Sequence, residues 1–388
     1  MNTDLPSLLV SIKDGMIDLG WGHPSPRLHP LDGIRKASQR MLAREDPAPL
    51  QYGATRGFGP FLKSLASFLS GQPAYGMSVD PHHLFLTAGA SQGIDLACTL
   101  FAHSDDTVVV EEPTYFIIEK IFRERQLNVV GVPTDSGGMA VSELETRLRA
   151  GLKPALVYTI PTFQNPTGTS LAPERRVHLV SLANEFNFRI LADEVYHLVH
   201  FEQLPPKPMM AFDQDSRVIS FGSFSKILAP GLRAGWIHSS NEIVSQFADA
   251  ALTFSGGGFN HYAAALIREV IDMGLLDSNV DQLRKEYARR ASLMQESLHT
   301  EFGADLNFVP PSGGYYFWLT FPEGFDSEAF LPFAEREGVS YRPGNTFSES
   351  GRFSRNLRLT YTLFEPKDLR EGVVRLAKAY HTMKPPAP

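Results

Sequence analysis

Val218-Ile219-Ser220-Phe221-Gly222-Ser223-Phe224-Ser225-Lys226, running on through Pro230-Gly231-Leu232-Arg233-Ala234-Gly235-Trp236, is the stretch from which the rest of the chain is read. The β-branched and aromatic residues at 218–221 predict a buried strand, and Pro230-Gly231 predicts a turn. Lys226 is therefore an ammonium carried just past a strand end. Seven residues on, Arg233 adds a fixed cation, and Ser223 and Ser225 bring hydroxyl donors to the same loop. That set suits one phosphate and one aldehyde.

Working outward, residues 84–87, 107–111, 129–132, 155–159, 189–192, 218–221 and 234–238 predict seven strands. They alternate with helical patterns at 91–101, 115–125, 141–148, 173–186 and 242–252, the signature of an α/β fold around a large, mostly parallel sheet. Ligands of such sheets bind beyond the carboxyl ends of the strands. Those ends carry Gly89 to Gln92, Pro113 to Tyr115, Asn165, Asp193 and Lys226. After a long helical stretch the pattern changes to short strands near 313–319, 339–341 and 357–361 with helices at 327–337 and 366–380, a smaller α+β domain. The expected division is a large ligand-binding domain over 46–280 and a small domain over 281–388, with 1–45 as an amino-terminal segment joining the small domain.

Asp193 closes the run Arg189-Ile190-Leu191-Ala192, and a carboxylate buried there is costly without a cationic partner. A protonated pyridine nitrogen would be that partner, and the ring would become an electron sink. Tyr196 and the Asn165-Pro166-Thr167-Gly168 turn lie where a hydroxyl and an amide reach the phenolic oxygen of such a ring. Tyr115 is placed to stack on it, and Gly89-Ala90-Ser91-Gln92-Gly93 opens a helix whose free amides suit a phosphate. The implied ligand is pyridoxal 5′-phosphate. Arg358, alternating with Leu357 and Leu359, is either solvated or bidentate to a carboxylate, and Gly20-Trp21-Gly22 marks a close backbone approach.

Each motif has a plainer reading. Gly89 to Gly93 also spells the hydrolase nucleophile elbow, but His299 in a long helix and His381 in a polar tail are poor triad partners. Ser223-x-x-Lys226 lacks the companion motifs of β-lactamases. His197 and His200 have no third ligand at metal spacing, so they read as structural and no metal is expected. A net charge of -7 without a basic run argues against nucleic acid. The single cysteine, Cys98, excludes an internal disulfide, and no stretch reaches membrane-spanning length, so a cytoplasmic protein is expected. The Lys384–Pro388 tail is the only biased segment.

In this combination and order, the residues resemble the fold-type I pyridoxal-phosphate enzymes, specifically the class I/II aminotransferases. The resemblance covers nearly the whole chain. It implies that Lys226 binds the cofactor covalently and moves the proton at the substrate Cα, that Asp193 holds the pyridine nitrogen, and that Tyr196 and Asn165 hold the phenolic oxygen. It assigns Ser91, Gln92, Ser223 and Arg233 to the phosphate, Tyr115 to the ring face, Arg358 to the substrate carboxylate, and Gly22 and Asn165 to the substrate. Tyr52 matches a residue that reaches the phosphate of a second subunit, which implies a homodimer with shared sites. The Lys226-to-Arg233 spacing is similar to that of the subgroup holding 2-aminoadipate and kynurenine aminotransferases. The implied reaction moves an amino group between an L-amino acid and a 2-oxo acid, with a lyase, decarboxylase or oxidase on the same cofactor as the alternative. Trp21 stands where that subgroup has a small residue near the substrate, implying a reshaped pocket.

Overall fold

The computed structural model describes residues 7–348 and 350–383; the 384–388 tail lies outside them. The chain forms two compact units. The smaller takes the chain up to Pro26, Tyr287–Pro311 and the chain from Tyr315 on, and the larger takes Arg27–Glu286 with Ser312–Gly314. These boundaries differ from the expected 45 and 280. The helix Leu31–Leu42 buries Ala37 and Met41 and packs on the helix His261–Asp272, so it belongs to the larger unit.

Numbered along the chain, with β1 (Ile17–Asp18) in the smaller unit, the larger unit contains β2 (Leu84–Thr87), β3 (Thr107–Glu112), β4 (Asn128–Asp135), β5 (Gly138–Met139), β6 (Pro154–Thr159), β7 (Arg189–Asp193), β8 (Val218–Ser223) and β9 (Gly235–His238). They form one eight-stranded sheet in the order β2-β9-β8-β7-β6-β3-β4-β5. The expected seven strands are all present, and the eighth corrects that number. It is β5, two residues folded back antiparallel on β4 with Asp135 opposite Gly138. Pairs β3–β4, β3–β6, β6–β7 and β7–β8 are parallel, whereas β9 runs antiparallel to both β2 and β8. Because β9 is reversed, β2 points the same way as β8. The carboxyl ends Thr87, Glu112, Thr159, Asp193 and Ser223 therefore share one edge.

The central strands are buried on both faces, which is why they read as continuous apolar runs rather than alternating ones. Val109, Val157, Ile190 and Val218 meet Leu144, Leu179 and Leu182 of the covering helices in one apolar cluster. In the smaller unit β1 pairs in parallel with β11 (Val339–Ser340), while β10 (Tyr316–Thr320), β13 (Asn356–Thr360) and β12 (Arg342–Pro343) form an antiparallel sheet with β13 in the middle. Its core is aromatic: Phe321 stacks on Phe325 at 4.2 Å, and Tyr380 and Phe330 close round them. The helix Pro366–Met383 comes close to β1 at Gly372, where a Cβ would lie 3.0 Å from Ile17.

Candidate active site

In the larger unit, sheet register brings the predicted phosphate residues together. Thr87 faces Gly235 on β9, and Gly235 faces Ser223 on β8. The row is tight: a Cβ on Gly235 would stand 2.6 Å from the Gly222 carbonyl and 3.0 Å from the Gly89 Cα. Beyond Ser223 the chain turns sharply, with the Leu228 N–H donating to the Phe224 carbonyl at 2.8 Å and the Ser225 N–H to Ser223 Oγ at 3.1 Å. A short 3-10 turn, Pro230–Leu232, then leads through left-handed Arg233 into β9. Arg233 Nη2 donates to the Ala88 carbonyl at 3.2 Å, next to the mouth of the helix Ala90–Phe101. That helix opens at Gly89 with φ +94°, and its first internal bond is Gly93 N–H to the Gly89 carbonyl. The amides of 90–92 thus precede the helical ladder. Gln92 Oε1 accepts the Ala88 N–H at 3.0 Å and fixes the entry. Helix amides, a guanidinium and the Ser223 hydroxyl together make an anion cradle.

Lys226 projects from this turn, its Nζ 5.8 Å from the centre of the Tyr196 ring. Asp193, at the end of β7, is buried and electrostatically coupled to Lys226. Its Oδ2 accepts the Tyr158 hydroxyl at 2.9 Å, and its carboxylate also accepts the Val195 N–H. Its Oδ1 is buried without a hydrogen-bond partner. Burial pushes the Asp193 carboxyl up to about 6, against the pull of Tyr158, Val195 and Lys226. Glu194 points to the opposite side, as alternation along an extended chain requires. There it accepts the Met209 N–H at 2.9 Å and the Ser220 hydroxyl, and lies 3.8 Å from the buried Arg176. Of two adjacent carboxylates, one is satisfied structurally and the other keeps an open oxygen.

The loop carrying Asn165 is held from behind. Gln164 Nε2 donates to the Pro113 carbonyl at 2.7 Å and to Glu111 at 3.2 Å, and its Oε1 accepts from the Thr167 amide and hydroxyl. Glu111 also accepts from Thr159 Oγ1 and the Ile160 N–H, yet burial still pushes its carboxyl up to about 7. Asn165 itself is buried, and Tyr115 is half-buried just ahead of the helix Phe116–Glu124. His197 is a core residue, as expected: its ring nitrogens meet Thr162 and the Ala74 carbonyl, and burial depresses it to about 3. Tyr52 is 89% exposed.

Within the smaller unit, Arg358 is 3% exposed, so the solvated option left open by the alternation on β13 is ruled out. Its guanidinium lies over the rings of Tyr316 at 4.2 Å and Phe347 at 4.8 Å, and Nη2 donates to the Gly20 carbonyl at 2.6 Å. Gly22 is obligatory here, because a Cβ would collide with the Tyr316 hydroxyl. Sequence reasoning missed Tyr158, Glu111, Gln164, Tyr316 and Phe347. A signal existed for Tyr158 alone: a tyrosine inside an otherwise aliphatic strand needs a partner for its hydroxyl.

The larger unit's residues fit pyridoxal phosphate on their own chemistry. The open Asp193 Oδ1 suits a pyridinium N–H, the cradle suits a phosphate, and Lys226 is the nearby amine. Residues 14–376 match the family model of aminotransferase class I and II, and the chain belongs to that family. The aromatic-amino-acid aminotransferase 1 of Thermococcus litoralis is 33% identical over 95% of this chain and 89% of its own length. The structure is similar to kynurenine aminotransferase of Pyrococcus horikoshii, solved with PMP, at TM-score 0.89 and 33% identity over 96% of this chain and 92% of that one. It is also similar to α-aminoadipate aminotransferase of Thermus thermophilus in complex with N-(5′-phosphopyridoxyl)-L-leucine, at TM-score 0.86 and 26% identity over 95% and 93%. The protein is a fold-type I aminotransferase of the subgroup anticipated from its sequence. It uses pyridoxal phosphate to transfer an amino group between an amino acid and a 2-oxo acid, and the lyase, decarboxylase or oxidase alternative is not favoured. Among the described residues no helix is long and apolar enough to cross a membrane.

Proposed function

We propose that amino transfer is carried by Lys226, Asp193 and Arg358 in the roles implied by the family resemblance. The observation that carries this reading is the buried, open Oδ1 of Asp193 beside the Lys226 turn. Bound at these residues, the cofactor would supply the electron sink that amino transfer needs. Lys226 attaches it and moves the proton at the substrate Cα. Asp193 Oδ1 would hold the proton of the ring nitrogen, while Tyr158 holds the other oxygen by its hydrogen bond. Tyr196 and Asn165 would donate to the phenolic oxygen, and Tyr115 would pack against the ring. Ser91, Gln92, Ser223 and Arg233 hold the phosphate. Arg358 clamps the substrate α-carboxylate, with Gly22 and Asn165 lining the same substrate. The unit over 27–286 is accordingly the cofactor domain.

The working form is a homodimer in which Tyr52 of each copy serves the phosphate site of the other. Its support is the exposure of Leu50, Tyr52, Leu252 and Phe254 on adjoining segments of the larger unit. Large exposed apolar patches of this kind mark association surfaces. A monomeric mass by light scattering at micromolar concentration would remove this assignment. A cytoplasmic site is supported by the lone, buried Cys98, and recovery only in an extracellular fraction would count against it. The reaction itself is tested by mixing the holoenzyme with single amino acids. A donor converts the cofactor's visible absorption to that of the amine form, and a 2-oxo acid restores it. No conversion with any amino acid would refute the reading.

A further inference from the structure

Gln164 joins two of the loops that leave the carboxyl edge of the large sheet. One follows β3 and carries Pro113; the other follows β6 and carries Asn165, the next residue along. Gln164 is buried, and its side-chain amide is fully used. Nε2 donates to the Pro113 carbonyl at 2.7 Å and to Glu111 Oε2 at 3.2 Å, while Oε1 accepts the Thr167 N–H at 2.9 Å and the Thr167 hydroxyl at 2.7 Å. Two N–H donors and two lone pairs are the whole capacity of a carboxamide. The amide is therefore fixed in one orientation. Turned over, it would set its oxygen against the Pro113 carbonyl and the Glu111 carboxylate, and its NH2 against the Thr167 N–H.

The main chain closes on the same residue. The Gln164 N–H donates to the Thr169 carbonyl at 2.8 Å, and the Gly168 N–H donates to the Gln164 carbonyl at 2.7 Å. Asn165 thus follows a residue pinned by both backbone and side chain. Glu111, the anchor of that pin, is buried and also accepts Thr159 Oγ1 at 2.6 Å and the Ile160 N–H at 3.1 Å. A buried carboxylate costs more than an apolar residue filling the same space. Here one of its three donors is the group that orients the Asn165 turn, which points to a role beyond packing. With both donors and both lone pairs taken, the Gln164 amide has nothing left for the cofactor, so its influence there passes through Asn165.

We propose that Gln164, anchored on Glu111 and Pro113, is a positioning residue that aims the Asn165 amide at the phenolic oxygen of the cofactor and thereby sets the pH at which the bound cofactor titrates. A hydrogen bond donated to that oxygen favours its anion and lowers the titration pH. Loosening Asn165 raises it. This inference rests on the reading that Asn165 serves the phenolic oxygen.

The test follows the visible absorption of the resting holoenzyme against pH, with no substrate present. Glu111 also interacts electrostatically with Asp193, Tyr158 and Arg176, so the variants are placed at Gln164 and Thr167. Asn165→Ala should raise the midpoint by about one pH unit or more, the shift expected for a lost hydrogen bond to a charged group. Gln164→Met, of similar length but without the amide, should raise it by at least about half as much. Thr167→Val, which removes one hydroxyl from the Gln164 amide and disturbs the fold least, should move it the same way by less. In the Asn165→Ala background, Gln164→Met should add almost nothing, because the two act as one unit. Urea unfolding of the apoproteins reads any loss of packing separately. Midpoints that stay at the wild-type value in Gln164→Met and Thr167→Val, even with reduced stability, would overturn the proposal, as would shifts that simply add in the double variant. An Asn165→Ala midpoint that moves while these two do not sinks this inference alone, whereas an unmoved Asn165→Ala midpoint sinks the reading of Asn165 as well.

Discussion

Replacing Asp193 with Asn should stabilise the apoprotein while it weakens the holoenzyme. In the folded apoprotein the carboxyl titrates at about 6 instead of 3.8, because burial disfavours its charge. The folded state therefore holds the Asp193 proton more tightly than the unfolded chain does. Stability from this group is highest below 3.8, falls as pH rises from 3.8 to about 6, and stays low above that. At about 1.4 kcal/mol per pH unit, that displacement amounts to about 3 kcal/mol. The Asn side chain is nearly isosteric and carries no charge to bury. Urea unfolding of the two apoproteins, from just above pH 3.8 to beyond pH 6, should show a gap that opens with pH in favour of Asp193→Asn. In the holoenzyme the order should reverse, since the variant no longer offers an anion to the ring nitrogen, and cofactor should be lost on dialysis. A gap that does not change with pH, or an Asp193→Asn apoprotein that is the less stable of the two above pH 6, would refute the argument.

Tyr158→Phe removes a hydrogen bond to a carboxylate, worth about 1.5–3 kcal/mol. The Asp193 titration should move further up and cofactor affinity should drop at least tenfold, measured by equilibrium dialysis; unchanged affinity and an unchanged absorbance–pH profile would contradict its role. Arg358→Ala should lower kcat/KM by about 2–5 kcal/mol in transition-state terms, leaving the absorbance of the resting holoenzyme in place, and unaltered kinetics would remove the clamp. Gly235→Ala forces a Cβ to within 2.6 Å of the Gly222 carbonyl, so it should widen the phosphate row and weaken cofactor retention; wild-type retention would show that the strands can part without cost.

Much of this architecture was legible in the sequence because buried parallel strands leave a strong trace. Runs such as Val108-Val109-Val110 and Ile190-Leu191-Ala192 can hardly be anything but core strands, and the polar residue closing each run marks the ligand edge. The strand β5 left no such trace, since two residues in an Asp-Ser-Gly-Gly turn have no period to detect. The boundary at Pro26 was equally hidden, because an amphipathic helix does not announce which neighbour covers it. The chemistry-bearing residues were visible by type and position, whereas the groups that orient them were not. Tyr158, Glu111 and Gln164 look like ordinary strand and loop residues until register brings their polar atoms to Asp193 and the Asn165 loop.

The assignment of Lys226 as the residue that carries the cofactor can be tested without any substrate. Reduction of the purified holoenzyme with borohydride should fix the cofactor to the protein, and peptide mapping by mass spectrometry should find the phosphopyridoxyl mass on Lys226, with Lys226→Ala unlabelled. A label on another lysine, or a Lys226→Ala protein labelled as fully as the wild type, would contradict the account.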